Sequence, residues 1–83
     1  MNHRSAALEI IRLMTVAGYL PDQLVSADLI ATILTEKGMR LEDIEKGMLS
    51  AHSCGWMQAS GHFICLTPLG QSIIHAANDN TPR

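Results

Sequence analysis

Apolar residues in this chain change period once, and that change limits the folds open to it. Up to about Ser53 they recur at three- and four-residue spacing; from Trp56 to Leu66 they alternate; after Thr67 the helical spacing returns. A chain written this way is mostly helical with a single hairpin. Trp56-Met57-Gln58-Ala59 and His62-Phe63-Ile64-Cys65-Leu66 flank Ser60-Gly61, the dipeptide of a tight two-residue turn. A turn there pairs Ala59 with His62, Met57 with Ile64 and Trp56 with Cys65. Alternation then puts Met57, Ile64 and Leu66 on the core face, and Trp56, Gln58, Phe63 and Cys65 on the other.

Three helices are expected before the hairpin and one after it. The first, Arg4 to Ala17, gathers Ala7, Ile10, Ile11, Met14 and Ala17 on one face, with Glu9 and Arg12 outside. Gly18 supplies its end and Pro21 forbids continuation. After a connector over Tyr19 to Val25, Ser26 is an N-cap and Asp28 suits the first turn. Leu29, Ile30, Ile33 and Leu34 form the stripe of a second helix, which ends at Lys37 with Gly38 as its stop. Leu41, Ile44, Met48 and Ala51 define a third helix to about Ser53, in which Gly47 costs roughly 1 kcal/mol relative to alanine. Thr67-Pro68 is a cap followed by a helix-starting proline. It opens a fourth helix through Leu69, Ile73, Ile74 and Ala77.

The fold class expected is therefore α+β, mostly α, in one domain over residues 1–77 with a flexible tail over 78–83. The 83 residues leave room for one core, and 47% of them are apolar. Only 17% are charged and the net charge is −2, which excludes a polybasic nucleic-acid coat and a disordered tail protein. No apolar run reaches the ~18 residues of a membrane span, and no signal-peptide pattern opens the chain. A cytoplasmic protein with Cys54 and Cys65 reduced is the expectation.

This element order resembles that of a winged helix-turn-helix: three helices, a two-stranded β-hairpin wing and a C-terminal helix. The resemblance rests on Gly38-Met39 in the tight turn, and on Ile44, Met48 and Ala51 inside the next helix. Gly55-Trp56-Met57 matches the "Gly-Leu-Ile" approach to the wing. Ile64-Cys65-Leu66-Thr67-Pro68-Leu69-Gly70 resembles the x-x-L-T-x-x-G exit of bacterial transcriptional regulators with this fold. It covers about Val25 to Gly70. It implies that the third helix enters the major groove of duplex DNA, with groove-facing positions around Leu41, Glu42, Asp43, Glu45, Lys46 and Ser50, while the wing touches backbone or minor groove. Lys37, Arg40 and Lys46 would then hold phosphates, Ser50 would lie near base edges, and Ser60, Gly61 and His62 would form the wing tip. It also implies a homodimer through the terminal helices.

The sequence departs from that pattern at Arg40, where a capping Ser or Thr is usual, and in the acids that follow. Between Glu36 and Lys46, three cations face Glu36, Glu42, Asp43 and Glu45. Three lysine or arginine contacts per monomer are few for phosphate neutralisation, although a dimer doubles them, acids can accept from cytosine, and acids at a helix N-terminus also have an ordinary structural role. A second reading therefore stands beside the first: a protein-interaction module without DNA binding. Its partner would meet the acidic third helix (Glu42, Asp43, Glu45) or the aromatic pair Trp56 and Phe63 on the outer hairpin face. Burial of that pair under a helix is the alternative.

No metal, cofactor or enzymatic activity is expected. His52, Cys54, His62 and Cys65 fall within fourteen residues, but strand alternation sends His62 and Cys65 to opposite faces. His3, His52, His62 and His75 are spread over different elements, without a triad or a phosphate loop.

Overall fold

The computed structural model describes residues 2–79, and side chains as far as 76. Its elements follow the order α1 (His3–Val16), β1 (Val25–Ser26), α2 (Ala27–Glu36), α3 (Leu41–Ser53), β2 (Met57–Ser60), β3 (Phe63–Leu66) and α4 (Pro68–Asp79). The chain is a compact, mostly helical α+β domain with four helices and a three-stranded antiparallel sheet in the order β1-β3-β2. Asn78 and Asp79, expected in the tail, complete α4; the rest of the expected tail, residues 80–83, lies outside the described residues.

The caps follow from side-chain chemistry. Asn2 Oδ1 accepts from the Ser5 amide at 2.7 Å, Ser26 Oγ from Leu29 at 3.4 Å, and Thr67 Oγ1 from Gly70 at 3.1 Å. Arg40 stands at the N-cap of α3 and makes no side-chain cap bond. Between α2 and α3 the chain turns in four residues, and Gly38 takes φ +94°, a conformation that glycine adopts without strain.

The core is built from Ile10, Ile11 and Met14 of α1, Ile30 and Leu34 of α2, Ile44 and Ala51 of α3, and Met57, Ile64, Leu66 and Ile74. Helices α1 and α3 make the principal contact of the fold, and Gly47 is buried within it. A Cβ at residue 47 would stand 2.7 Å from Ile10 Cδ1 and 2.8 Å from the Ala6 carbonyl carbon. Gly47 is therefore where two helices touch backbone to side chain, a role its helix propensity does not reveal.

Three expectations need correction. The turn residues are Gly61-His62, with Ser60 paired to Phe63, Ala59 to Ile64, Gln58 to Cys65 and Met57 to Leu66. A turn at Ser60-Gly61 of the type with two left-handed residues would force Ser60 to positive φ. One residue further on, Gly61 (φ +61°) stands first, where a type II′ turn takes glycine. The pairing shifts by two residues, so the faces keep their identity, and Met57, Ile64 and Leu66 are indeed buried. Second, the connector ends in a strand. Val25 pairs with Ile64 and Ser26 with Phe63, and two residues are too few to show alternation. Third, Ala17, Leu29 and Leu41 are exposed rather than in the core stripes, because Ile30/Leu34 and Ile44/Ala51 already fill the space facing α1 and the sheet.

Trp56 and Thr67 lock the sheet to the helices on either side. The Trp56 amide donates to the Ala51 carbonyl at 2.9 Å, and the Thr67 amide donates to the Trp56 carbonyl at 3.1 Å. Thr67 Oγ1 donates to the Gly55 carbonyl at 2.6 Å while it caps α4. Thr67→Val keeps the shape and removes both hydroxyl bonds around a buried site. We expect a loss of about 1–3 kcal/mol in urea unfolding, while Thr67→Ser, which keeps the hydroxyl, stays close to wild type.

Candidate interaction surface on the third helix

Packing of α3 through Ile44, Gly47 and Ala51 determines which residues it turns outward. Two adjacent ridges of i, i+4 spacing result. One is Leu41, Glu45 and Leu49; the other is Glu42, Lys46 and Ser50. Leu41 is 61% exposed and Leu49 71%. Leu41 belongs by spacing to the apolar stripe and by the resemblance to the groove-facing positions, and the structure exposes it; Leu49 is a surface leucine outside the residues selected from sequence. The signal was present in the phase of Leu49, which falls outside the Ile44-Met48-Ala51 stripe.

Charge on this face is negative. Glu42 and Glu45 are exposed and Asp43 half-buried, against Lys46 as the one lysine or arginine of α3. That cation is engaged, with its Nζ 2.9 Å from Glu42 Oε1. The hydrogen bond and charge of Lys46 hold the Glu42 carboxyl below its ordinary range, and Glu42 in turn raises Lys46. Because the Glu42 shift is downward, its contribution is present above the unfolded carboxylate pKa and lost as pH falls through the lowered one. The pair is fully solvated and screened by salt, so it contributes little to stability.

The remaining sequence-selected residues fall into separate groups. Lys37 is exposed at the C-cap of α2 and Arg40 at the N-cap of α3, on the same short turn. Ser60, Gly61 and His62 are exposed at the β2–β3 turn, and Ser50 is half-buried on α3. The expected aromatic pair is split. Trp56 is 5% exposed, beneath the Arg4 guanidinium at 5.6 Å from the ring centroid, whereas Phe63 is 48% exposed. Trp56 precedes β2 and lies at the α3–α4 junction, which removes it from any partner surface.

A groove of about 420 Å³ separates α2 from the start of α3. Its walls include Asp28, Thr32, Thr35 and Glu36, and Leu41 closes it on the α3 side. The hydroxyls of Thr32 and Thr35 donate to the carbonyls of Asp28 and Ala31, at 2.9 Å and 2.8 Å, so they face the groove as acceptors.

Among the described residues, no three His, Cys, Asp or Glu side chains are placed to share a metal. No described helix is long and apolar enough to cross a membrane. No family model matches the chain, nor does any curated protein or solved structure.

Proposed function

We propose that the chain is a winged helix whose third helix docks a protein rather than reading duplex DNA. The observation that carries this reading is the outward face of α3, where exposed Leu41 and Leu49 flank Glu45, and Lys46 is already paired with Glu42. A groove-reading helix meets phosphates on both sides, and duplex affinity comes largely from lysine and arginine contacts. Three carboxylates here oppose one engaged ammonium. Exposed leucines at helical spacing among solvated acids are instead what an amphipathic helix offers to a partner's groove. A homodimer through α1 and α4, which pack on each other, would leave the α3 face of each copy available.

One observation favours the duplex as a second reading: Lys37 and Arg40 are both exposed on the α2–α3 turn, and the wing tip Ser60–His62 is exposed. In that case Glu42→Gln, which releases Lys46, tightens binding, while Lys37→Glu and Arg40→Glu weaken it on every sequence and flatten its salt slope. A titration with random duplex at low salt, followed through backbone amides, separates the two. The docking reading predicts no salt-sensitive shifts on Arg40–Ser50 or Ser60–His62 and no gain from Glu42→Gln. Shifts clustered there, enhanced by Glu42→Gln, would overturn it.

A further inference from the structure

We propose that the partner is a protein segment that is both basic and apolar, seated along the Leu41–Glu45–Leu49 ridge and in the neighbouring α2–α3 groove. This rests on the docking reading and names the chemistry of the occupant. Leu41 belongs to both features, because it begins the ridge and walls the groove. The ridge and the groove thus form one continuous surface. Along the ridge, the two leucines are eight residues apart, about 12 Å at the helical rise of 1.5 Å per residue. A partner must therefore offer two apolar contacts at that spacing.

Between and beside those contacts it meets negative charge. Glu45 lies between the leucines, Glu42 on the adjoining ridge, and Asp28 and Glu36 line the groove. Glu36 is also the last residue of α2, where the helix dipole is negative and favours a cation. The groove's threonine oxygens present acceptors, and its volume suits one long side chain rather than a helix. Arginine or lysine satisfies both demands, with the aliphatic stem on Leu41 and the charged head toward one of the groove's two carboxylates, Asp28 or Glu36, and its threonine oxygens. An acidic or purely apolar partner meets repulsion or unpaired carboxylates here. Another groove, about 350 Å³ between α1 and the α2–α3 turn, is lined by Arg12 and Lys37 as well as Glu9, which is paired with Arg12, so its lining lacks the excess of carboxylates found here.

The test uses the whole chain and two peptides of one helical pattern. In one, leucine at i, i+4 and i+8 is flanked by arginine; in the other, glutamate replaces every arginine. Backbone amide and leucine methyl shifts are followed in the wild type and in the double variant Leu41→Ser with Leu49→Ser, both of which are exposed positions. The expected result is saturable shifts at Leu41, Glu45, Leu49 and Thr32 with the arginine peptide alone. Affinity should fall at least tenfold in the double variant and in Asp28→Asn with Glu36→Gln. Absence of binding, equal binding of the glutamate peptide, or diffuse shifts over all carboxylates that survive the double variant would overturn the inference. The docking reading is tested separately: if a photo-crosslinking residue placed at position 49 captures a partner protein that carries no basic segment, that reading stands while this inference fails.

Discussion

Gly70→Ala is expected to remove a large share of the stability of this domain. The added Cβ would fall on the Trp56 carbonyl oxygen and stand only 3.0 Å from the Trp56 carbonyl carbon and 3.1 Å from its Cα. All three atoms are backbone, so no rotamer change relieves the contact. That carbonyl is also the acceptor of the Thr67 amide, and the Trp56 amide is bonded to Ala51. Moving Trp56 away therefore breaks bonds at both ends of the α3–β2 junction, while moving α4 away breaks the Thr67 cap. Overpacking in a tight core costs about 1–3 kcal/mol and sometimes more; with a backbone obstacle we expect about 3 kcal/mol or above. Native domains hold only about 5–15 kcal/mol in total, so the urea midpoint, read from Trp56 fluorescence, should fall by roughly a fifth to three fifths. A midpoint within error of wild type would show that α4 sits further from Trp56.

Gly47→Ala separates helix propensity from packing, because the two predict opposite signs. In an exposed helix the change is stabilising by about 1 kcal/mol. Here the new methyl would meet Ile10 Cδ1 at 2.7 Å, Ala6 Cβ at 2.9 Å and the Ala6 carbonyl carbon at 2.8 Å. Ile10 can turn its terminal methyl aside, but the Ala6 backbone moves only if α1 lifts from α3. Since that contact is the main one of the fold, lifting it loosens Ile10, Ile44 and Ala51 together. We expect a net destabilisation of about 1–3 kcal/mol by urea unfolding, and Ile10→Val should recover only a small part of it. Net stabilisation would mean that α1 and α3 are not in backbone contact at residue 47.

The position of each element was legible where a local chemical signal existed. Ser26 and Thr67 announced helix starts, Gly38 a stop, and the alternation from Met57 to Leu66 the hairpin and its buried face. Glu9 and Arg12 were legible as neighbours and lie 3.3 Å apart. What escaped is what depends on a third element. The strand Val25–Ser26 exists because β3 offers a free edge, and no two-residue segment carries that in its own pattern. Gly47 reads as a weak point of a helix and Gly70 as the end of a motif, while their reason lies in Ala6 and Trp56, 41 and 14 residues away. At the candidate surface the acids were legible as a departure from a duplex-binding pattern. Leu41 is readable both as a member of the apolar stripe and as a groove-facing position, and periodicity does not choose between them because it does not say how wide the core is; Leu49 is legible only in its phase, outside the Ile44-Met48-Ala51 stripe.

The claim that α3 is a protein-docking helix is tested most directly by a photo-crosslinking residue at position 49, introduced in the cells that make this protein. Leu49 is 71% exposed, so the substitution leaves the core untouched. Irradiation should yield a discrete protein adduct, lost in Glu45→Lys and in Leu41→Ser and unaffected by nuclease. An adduct with nucleic acid, or no adduct at position 49 while one forms from the wing tip at Ser60, would contradict it.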